Sequence, residues 1–211
     1  VCTWQGRHLF MCWHRPGVQD GPVTVDWTTM SNTSGKFVVA PLVLSQRPDK
    51  TLARQSYPGW TAYHQESPST PAPDSGSDQR DVASDSAATW TLNAPAGRME
   101  TLITAGGYGD LHATGQLRLN ATIGGLVFRF DPATSEGYVI ELQAGSSEVL
   151  LKKWLLSPEA LTGRAWFRME ILQRGHLPRP VERDAHLPFN LILSGPYIEL
   201  ELDGQVVIAT L

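Results

Sequence analysis

The sequence is poor in cysteine, in positive charge and in long apolar runs. Two cysteines among 211 residues, Cys2 and Cys12, are too few for a disulfide framework. Lysine and arginine total 17 against 21 acidic residues, and the formal net charge is −4. The basic residues form no stripe, so no nucleic-acid partner is expected. No apolar run approaches the roughly 20 residues of a spanning helix, so no membrane partner is expected either. No charged n-region followed by an apolar block opens the chain, so no signal peptide is visible and the compartment, cytoplasmic or secreted, stays open. The chain opens on Val1, inside what reads as a strand, and the expectation is a numbering that starts partway through a longer protein.

Helical spacing of apolar residues is almost absent, and short β-rich runs recur between Gly, Pro, Asp and Ser clusters. The fold class read from this pattern is all-β, a partial β-propeller blade followed by a two-layer antiparallel β-sandwich of jelly-roll or lectin type. Residues 1–63 are the first unit, the end of a propeller. Within it Leu9-Phe10-Met11-Cys12-Trp13 is apolar on both faces and reads as a buried strand, ended by His14-Arg15-Pro16-Gly17. Val23 to Trp27 and Lys36 to Leu44 are further strands. Four strands joined by tight turns match a propeller blade. A two-residue turn at Gln5-Gly6 sets Cys2 opposite Leu9, whereas a three-residue Gly6-Arg7-His8 loop sets Cys2 opposite Cys12 and would permit a bridge.

Residues 64–87 carry four Pro or Gly, many Ser and Asp and almost nothing apolar. That composition reads as a linker or long surface loop. Residues 88–211 are the sandwich, with strands expected at 88–93, 98–104, 115–123, 126–130, 138–143, 148–154, 165–173, 189–193, 198–202 and 205–210. In the last hairpin Ile198, Leu200 and Leu202 alternate with Glu199 and Glu201, giving one buried and one wet face. Asp203-Gly204 suits a type I′ turn, which sets Leu200 opposite Val207.

Motifs that carry chemistry are mostly missing. No Gly-rich phosphate loop or Gly-x-Ser-x-Gly elbow occurs, and the six histidines have no metal-ligand spacing. No cofactor, metal or catalytic residue is therefore assigned. Glu199, Glu201 and Asp203 share one strand face, as in sandwich glycanases that use a carboxylate row. The favoured reading is a solvated face that also discourages edge pairing. Glu100 and Glu170 read as outward charges, and Asp131 before Pro132 as a turn residue. Aromatic rings can cover the apolar face of a sugar, and Trp60, Trp90, Tyr108, Tyr138, Trp154 and Trp166 are the candidates. Trp13-His14-Arg15 lies where a buried strand opens into a loop, the kind of place where sites collect. The carbohydrate-binding candidates are Trp13, His14, Arg15, Trp154 and Trp166.

Several segments together carry a family likeness. They are Phe37-Val38-Val39-Ala40-Pro41-Leu42 with Asp49-Lys50-Thr51-Leu52, then Gly124-Gly125-Leu126-Val127-Phe128-Arg129-Phe130, then Gly195-Pro196-Tyr197-Ile198-Glu199-Leu200 with Leu202-Asp203-Gly204-Gln205-Val206-Val207. The chain resembles the C-terminal part of glycoside hydrolase family 32, the β-fructosidase-like enzymes. The resemblance implies a five-bladed propeller joined to a C-terminal sandwich, and a retaining reaction on fructose-containing or related glycans. The family's Asn-Asp-Pro, Arg-Asp-Pro and Glu-Cys motifs are absent, since Arg129 and Asp131 are separated by Phe130 and neither Cys2 nor Cys12 follows Glu. The resemblance thus implies a non-catalytic portion whose partners are a glycan and the missing N-terminal blades or a companion chain. A stand-alone lectin-like binding module is the alternative, and a sandwich glycanase using Glu199 and Glu201 is a third reading.

Overall fold

The computed structural model describes residues 2–4, 7–10, 13–14, 37–38, 42–63, 82–86, 89–92, 109–131, 133–134, 136–156 and 167–210. The chain divides into two compact units, one of Val1–Pro58 with Gly109–Leu211 and one of Gly59–Tyr108. Antiparallel strands dominate the described residues, in a sandwich-like arrangement in the larger unit and without a closed barrel among the described residues. Among the described residues no helix is long and apolar enough to cross a membrane.

The larger unit opens with β1 (Cys2–Trp4), β2 (Arg7–Phe10), β3 (Trp13–His14), β4 (Phe37–Val38), β5 (Leu42–Gln46) and β6 (Leu52–Gln55). β1, β2, β5 and β6 form one four-stranded sheet in that order, and β3 pairs with β4. Such a sheet has the strand number of a propeller blade, but β3 and β4 intervene in the chain between its neighbours β2 and β5, and a propeller is not shown. The β1–β2 register sets Cys2 opposite Leu9 and Trp4 opposite Arg7, as the two-residue turn predicts. The three-residue loop is therefore not adopted. Cys12 lies outside the described residues, as does the strand expected at Val23 to Trp27.

The smaller unit contains a 3-10 turn at Pro58–Tyr63, which begins in the larger unit, and a hairpin of β7 (Val82–Ser86) and β8 (Thr89–Leu92). β7 falls in the segment read as a tether. Its residues find a ladder partner in Thr-Trp-Thr-Leu, a run of β-branched and aromatic residues that suits a strand. The rest of 64–87 lies outside the described residues, as does the strand expected at 98–104.

The remaining strands build two facing sheets. They are β9 (Leu111–Arg118), β10 (Ile123–Asp131), β11 (Glu136–Gln143), β12 (Glu148–Leu156), β13 (Phe167–His176), β14 (His186–Ser194), β15 (Tyr197–Leu202) and β16 (Gln205–Thr210). One sheet runs β10-β11-β12-β13 and the other β16-β15-β14-β9. β12 and β13 lie against β16. Between the sheets Ile140, Leu142, Val149 and Leu151 meet Leu191, Leu193, Ile198, Leu200, Leu202 and Ile208 in one apolar cluster. Removing this surface from water is the main stabilising contribution, at about 25 cal/mol per Å² of apolar area.

Two differences from the expected strands have clear causes. Residues 115–123 alternate like one strand, yet β9 ends at Arg118 and β10 begins at Ile123 in the other sheet. The chain changes sheets between them, where Leu119 enters the core and its carbonyl accepts the Asp184 N–H at 3.0 Å. In the last hairpin Asp203 and Gly204 have φ of 49° and 71°, as a type I′ turn requires. Leu200 nevertheless pairs with Ile208 and not with Val207, because a bulge lies between Leu200 and Glu201. The extra residue, Val207, is buried in the apolar cluster.

Candidate functional site

The side-chain period of a strand places Tyr197, Glu199 and Glu201 on the face of β15 opposite to Ile198, Leu200 and Leu202. The second set fills the core, so the first set belongs to the outer face of its sheet. A solvated row was expected there. Glu199 instead has 0% of its surface exposed, and Glu201 is half-buried. This corrects the sequence reading, and the cause lies far away in the chain.

β6 packs against β16, the neighbour of β15. The residue after β6, Ser56, donates its hydroxyl to Glu199 Oε1 and its backbone N–H to Glu201 Oε2 at 2.6 Å. The Tyr197 hydroxyl donates to Glu199 Oε2. One turn earlier, the Arg47 guanidinium donates to the Gln205 side-chain oxygen. The β5–β6 turn is itself fixed by Asp49, whose carboxylate accepts the Thr51 N–H at 2.9 Å and hydroxyl at 2.6 Å. These Thr51 bonds hold the Asp49 carboxyl below its ordinary pKa.

Burial pushes the Glu199 carboxyl above its ordinary pKa, because the charged form loses water. The Ser56 and Tyr197 hydroxyls act in the opposite direction, and the nearby Glu201 charge adds to the rise. A carboxyl without exposed surface has no open path to a glycosidic bond. Asp203 sits in the turn and pairs with Arg179 at 3.2 Å. In this conformation Glu199, Glu201 and Asp203 are not an open row of catalytic carboxylates.

The outer face continues across β14 and β9. Asn190 is the register partner of Glu201 and of Thr114, and Ile192 that of Glu199 and of His112. His112 Nε2 lies 2.6 Å from Asn190 Oδ1. The amide oxygen accepts there, so this ring nitrogen is the donor. His112, Asn190 and Glu201 are half-buried, while Thr114 and Gln116 are exposed. A carboxylate, an amide, an imidazole and a hydroxyl thus line three adjacent strands, and together they can accept from and donate to the hydroxyls of a polyol.

The residues singled out from sequence are placed elsewhere. Trp13 and His14 form β3, opposite Val38 and Phe37. Arg15 and Trp166 lie outside the described residues. Trp154 is 4% exposed and meets Phe130 edge-on, with centroids 6.2 Å apart and planes at 70°. Tyr138 stacks on Phe128 at 5.7 Å. Trp60 lies half-buried in the 3-10 turn, while Tyr108 and Glu100 are outside the described residues. Glu170 is exposed, as expected for an outward charge. Asp131 Oδ1 accepts the Ala133 N–H at 2.8 Å, which is the expected turn role. Among the described residues no group of three or more His, Cys, Asp or Glu is placed to hold a metal ion.

Ser56, His112 and Asn190 are the residues that sequence reasoning missed. The one signal was Asn190 itself, an amide inside Phe189-Asn190-Leu191-Ile192-Leu193.

No protein-family model matches the chain, and no curated protein matches it. The glycoside hydrolase family 32 resemblance is therefore not shown. Among solved structures the chain is similar in part to the carbohydrate binding module CBM66 from Bacillus subtilis. The TM-score is 0.42 and the identity 16%, over 52% of this chain and 63% of that one. The chain thus spans less than two thirds of the length of that module.

Proposed function

We propose that the chain is a carbohydrate-binding β-sandwich module that presents the His112–Asn190–Glu201 face to glycan hydroxyls. The observation that carries this reading is the register of that face. Glu201 and Asn190 are direct cross-strand partners, and Asn190 is hydrogen-bonded to His112 on the strand beyond. Groups mounted on adjacent strands of one sheet keep fixed spacings, so the face binds without first being ordered. A carboxylate accepts two hydroxyls at once, and hydrogen bonds to a charged group are the strong ones. The core cluster beneath holds the strands that carry these groups.

In the same reading, Trp13, His14, Arg15 and Trp166 add contacts to longer glycans, and Trp154 supports its sheet through its packing on Phe130. The finer form makes this module the non-catalytic C-terminal portion of a retaining hydrolase acting on fructose-containing glycans. Residues 1–63 are then the last blade, 64–87 a tether and 88–211 the sandwich, with the other blades upstream or on a companion chain. That form rests on the quoted sequence resemblance.

Titration calorimetry of the chain against inulin, xylan, galactan and cellulose oligosaccharides tests the proposal. At least one oligosaccharide binds, and Asn190→Ala and Glu201→Gln each weaken it by about tenfold, as expected for loss of a hydrogen bond in a charged network. Selective binding of inulin supports the fructan form. Absence of heat with all four oligosaccharides contradicts the proposal.

A further inference from the structure

We propose that Ser56 is an internal ligand of this face, holding the place of a sugar diol until a glycan displaces it. The inference rests on the glycan-binding reading and adds a mode of regulation to it. Its starting point is the burial of Glu199, which has no exposed surface although it stands on the polar side of its sheet.

Ser56 offers two adjacent donors, a hydroxyl and a backbone N–H, to two carboxylates on the same strand face. Vicinal hydroxyls of a sugar offer the same pair of donors. Glu201 is shared between the two situations. It accepts from Ser56 on one side and faces Asn190 of the proposed glycan strip on the other. A glycan that engages Glu201 fully must therefore compete with Ser56.

The strand that leads to Ser56 buries little apolar surface. In β6 Ala53 is the one buried residue, whereas Leu52 is 65% exposed and Arg54 is exposed. A strand with so little buried apolar surface opens at low cost compared with the core strands. Displacement of Ser56 would uncover Glu199 and Tyr197 and extend the polar face along β15. Ligand binding then selects the open form, and a variant that already favours it binds more tightly.

The test uses the full chain and the four oligosaccharides named above. Ser56→Ala removes the hydroxyl, and Ser56→Gly serves as the second variant if the first does not fold. Hydrogen exchange at residues 52–58 reports opening, and calorimetry reports affinity. The expected results are faster exchange at 52–58 in the variant and about tenfold tighter binding of the responsive oligosaccharide. Addition of that oligosaccharide to the unaltered chain also speeds exchange at 52–58. Faster exchange with equal or weaker affinity overturns the inference while leaving the glycan-binding reading intact. Absence of binding in both the unaltered chain and the variant overturns both.

Discussion

Ser56 and Glu199 stand 143 positions apart in the chain and share a hydrogen bond beneath the surface. This bond joins the β5–β6 hairpin to the outer face of the sandwich. Glu199→Ala leaves the Ser56 and Tyr197 hydroxyls without their shared acceptor. The cost of such stranded groups is about 1–3 kcal/mol. A lower urea midpoint for Glu199→Ala, with Glu199→Gln falling between it and the unaltered chain, is the expected outcome.

The same carboxyl gives stability a pH dependence of defined sign. Burial raises the Glu199 pKa above its ordinary value of 4.5, so the folded chain binds this proton more tightly than the unfolded chain. Its contribution is present in full below the unfolded value and fades as pH rises through the raised one. Urea midpoints measured from mildly acidic to neutral pH should therefore favour the acidic side. Subtracting the profile of Glu199→Gln isolates this group, and the difference should decline as pH rises.

Gly175 marks a close approach of the two sheets. A Cβ placed on it would lie 2.1 Å from the Val207 carbonyl oxygen, and a backbone atom cannot swing aside as a side chain can. Gly175→Ala is expected to destabilise by about 1–3 kcal/mol through forced backbone shifts. Thermal unfolding checks this, and Gly145→Ala does not provide a control because Gly145 has φ of 83°.

The parts of the fold that were legible in the sequence are local. The β1–β2 register and the Asp203-Gly204 turn follow from short-range turn chemistry, and both were found. The inward set Ile198, Leu200 and Leu202 follows from strand alternation. The Val207 bulge was not legible, because one extra residue leaves the apolar pattern of Val206-Val207-Ile208 unchanged. The site was hidden for a different reason. Glu199 reads as solvated when β15 is considered alone, whereas in the fold it is buried and bonded to Ser56, which a distant hairpin brings in. His112 and Asn190 are 78 positions apart, and strand pairing at that separation has no local signature.

On the proposed reading, the outer face of the β9–β14–β15 strands binds glycans. A nuclear magnetic resonance titration of the full chain with the oligosaccharides is its most direct test. The expected result is saturable shift changes concentrated at His112, Thr114, Asn190 and Glu201, and their loss in Asn190→Ala. Shifts confined to other surfaces, or no shifts with any of the sugars, would contradict it.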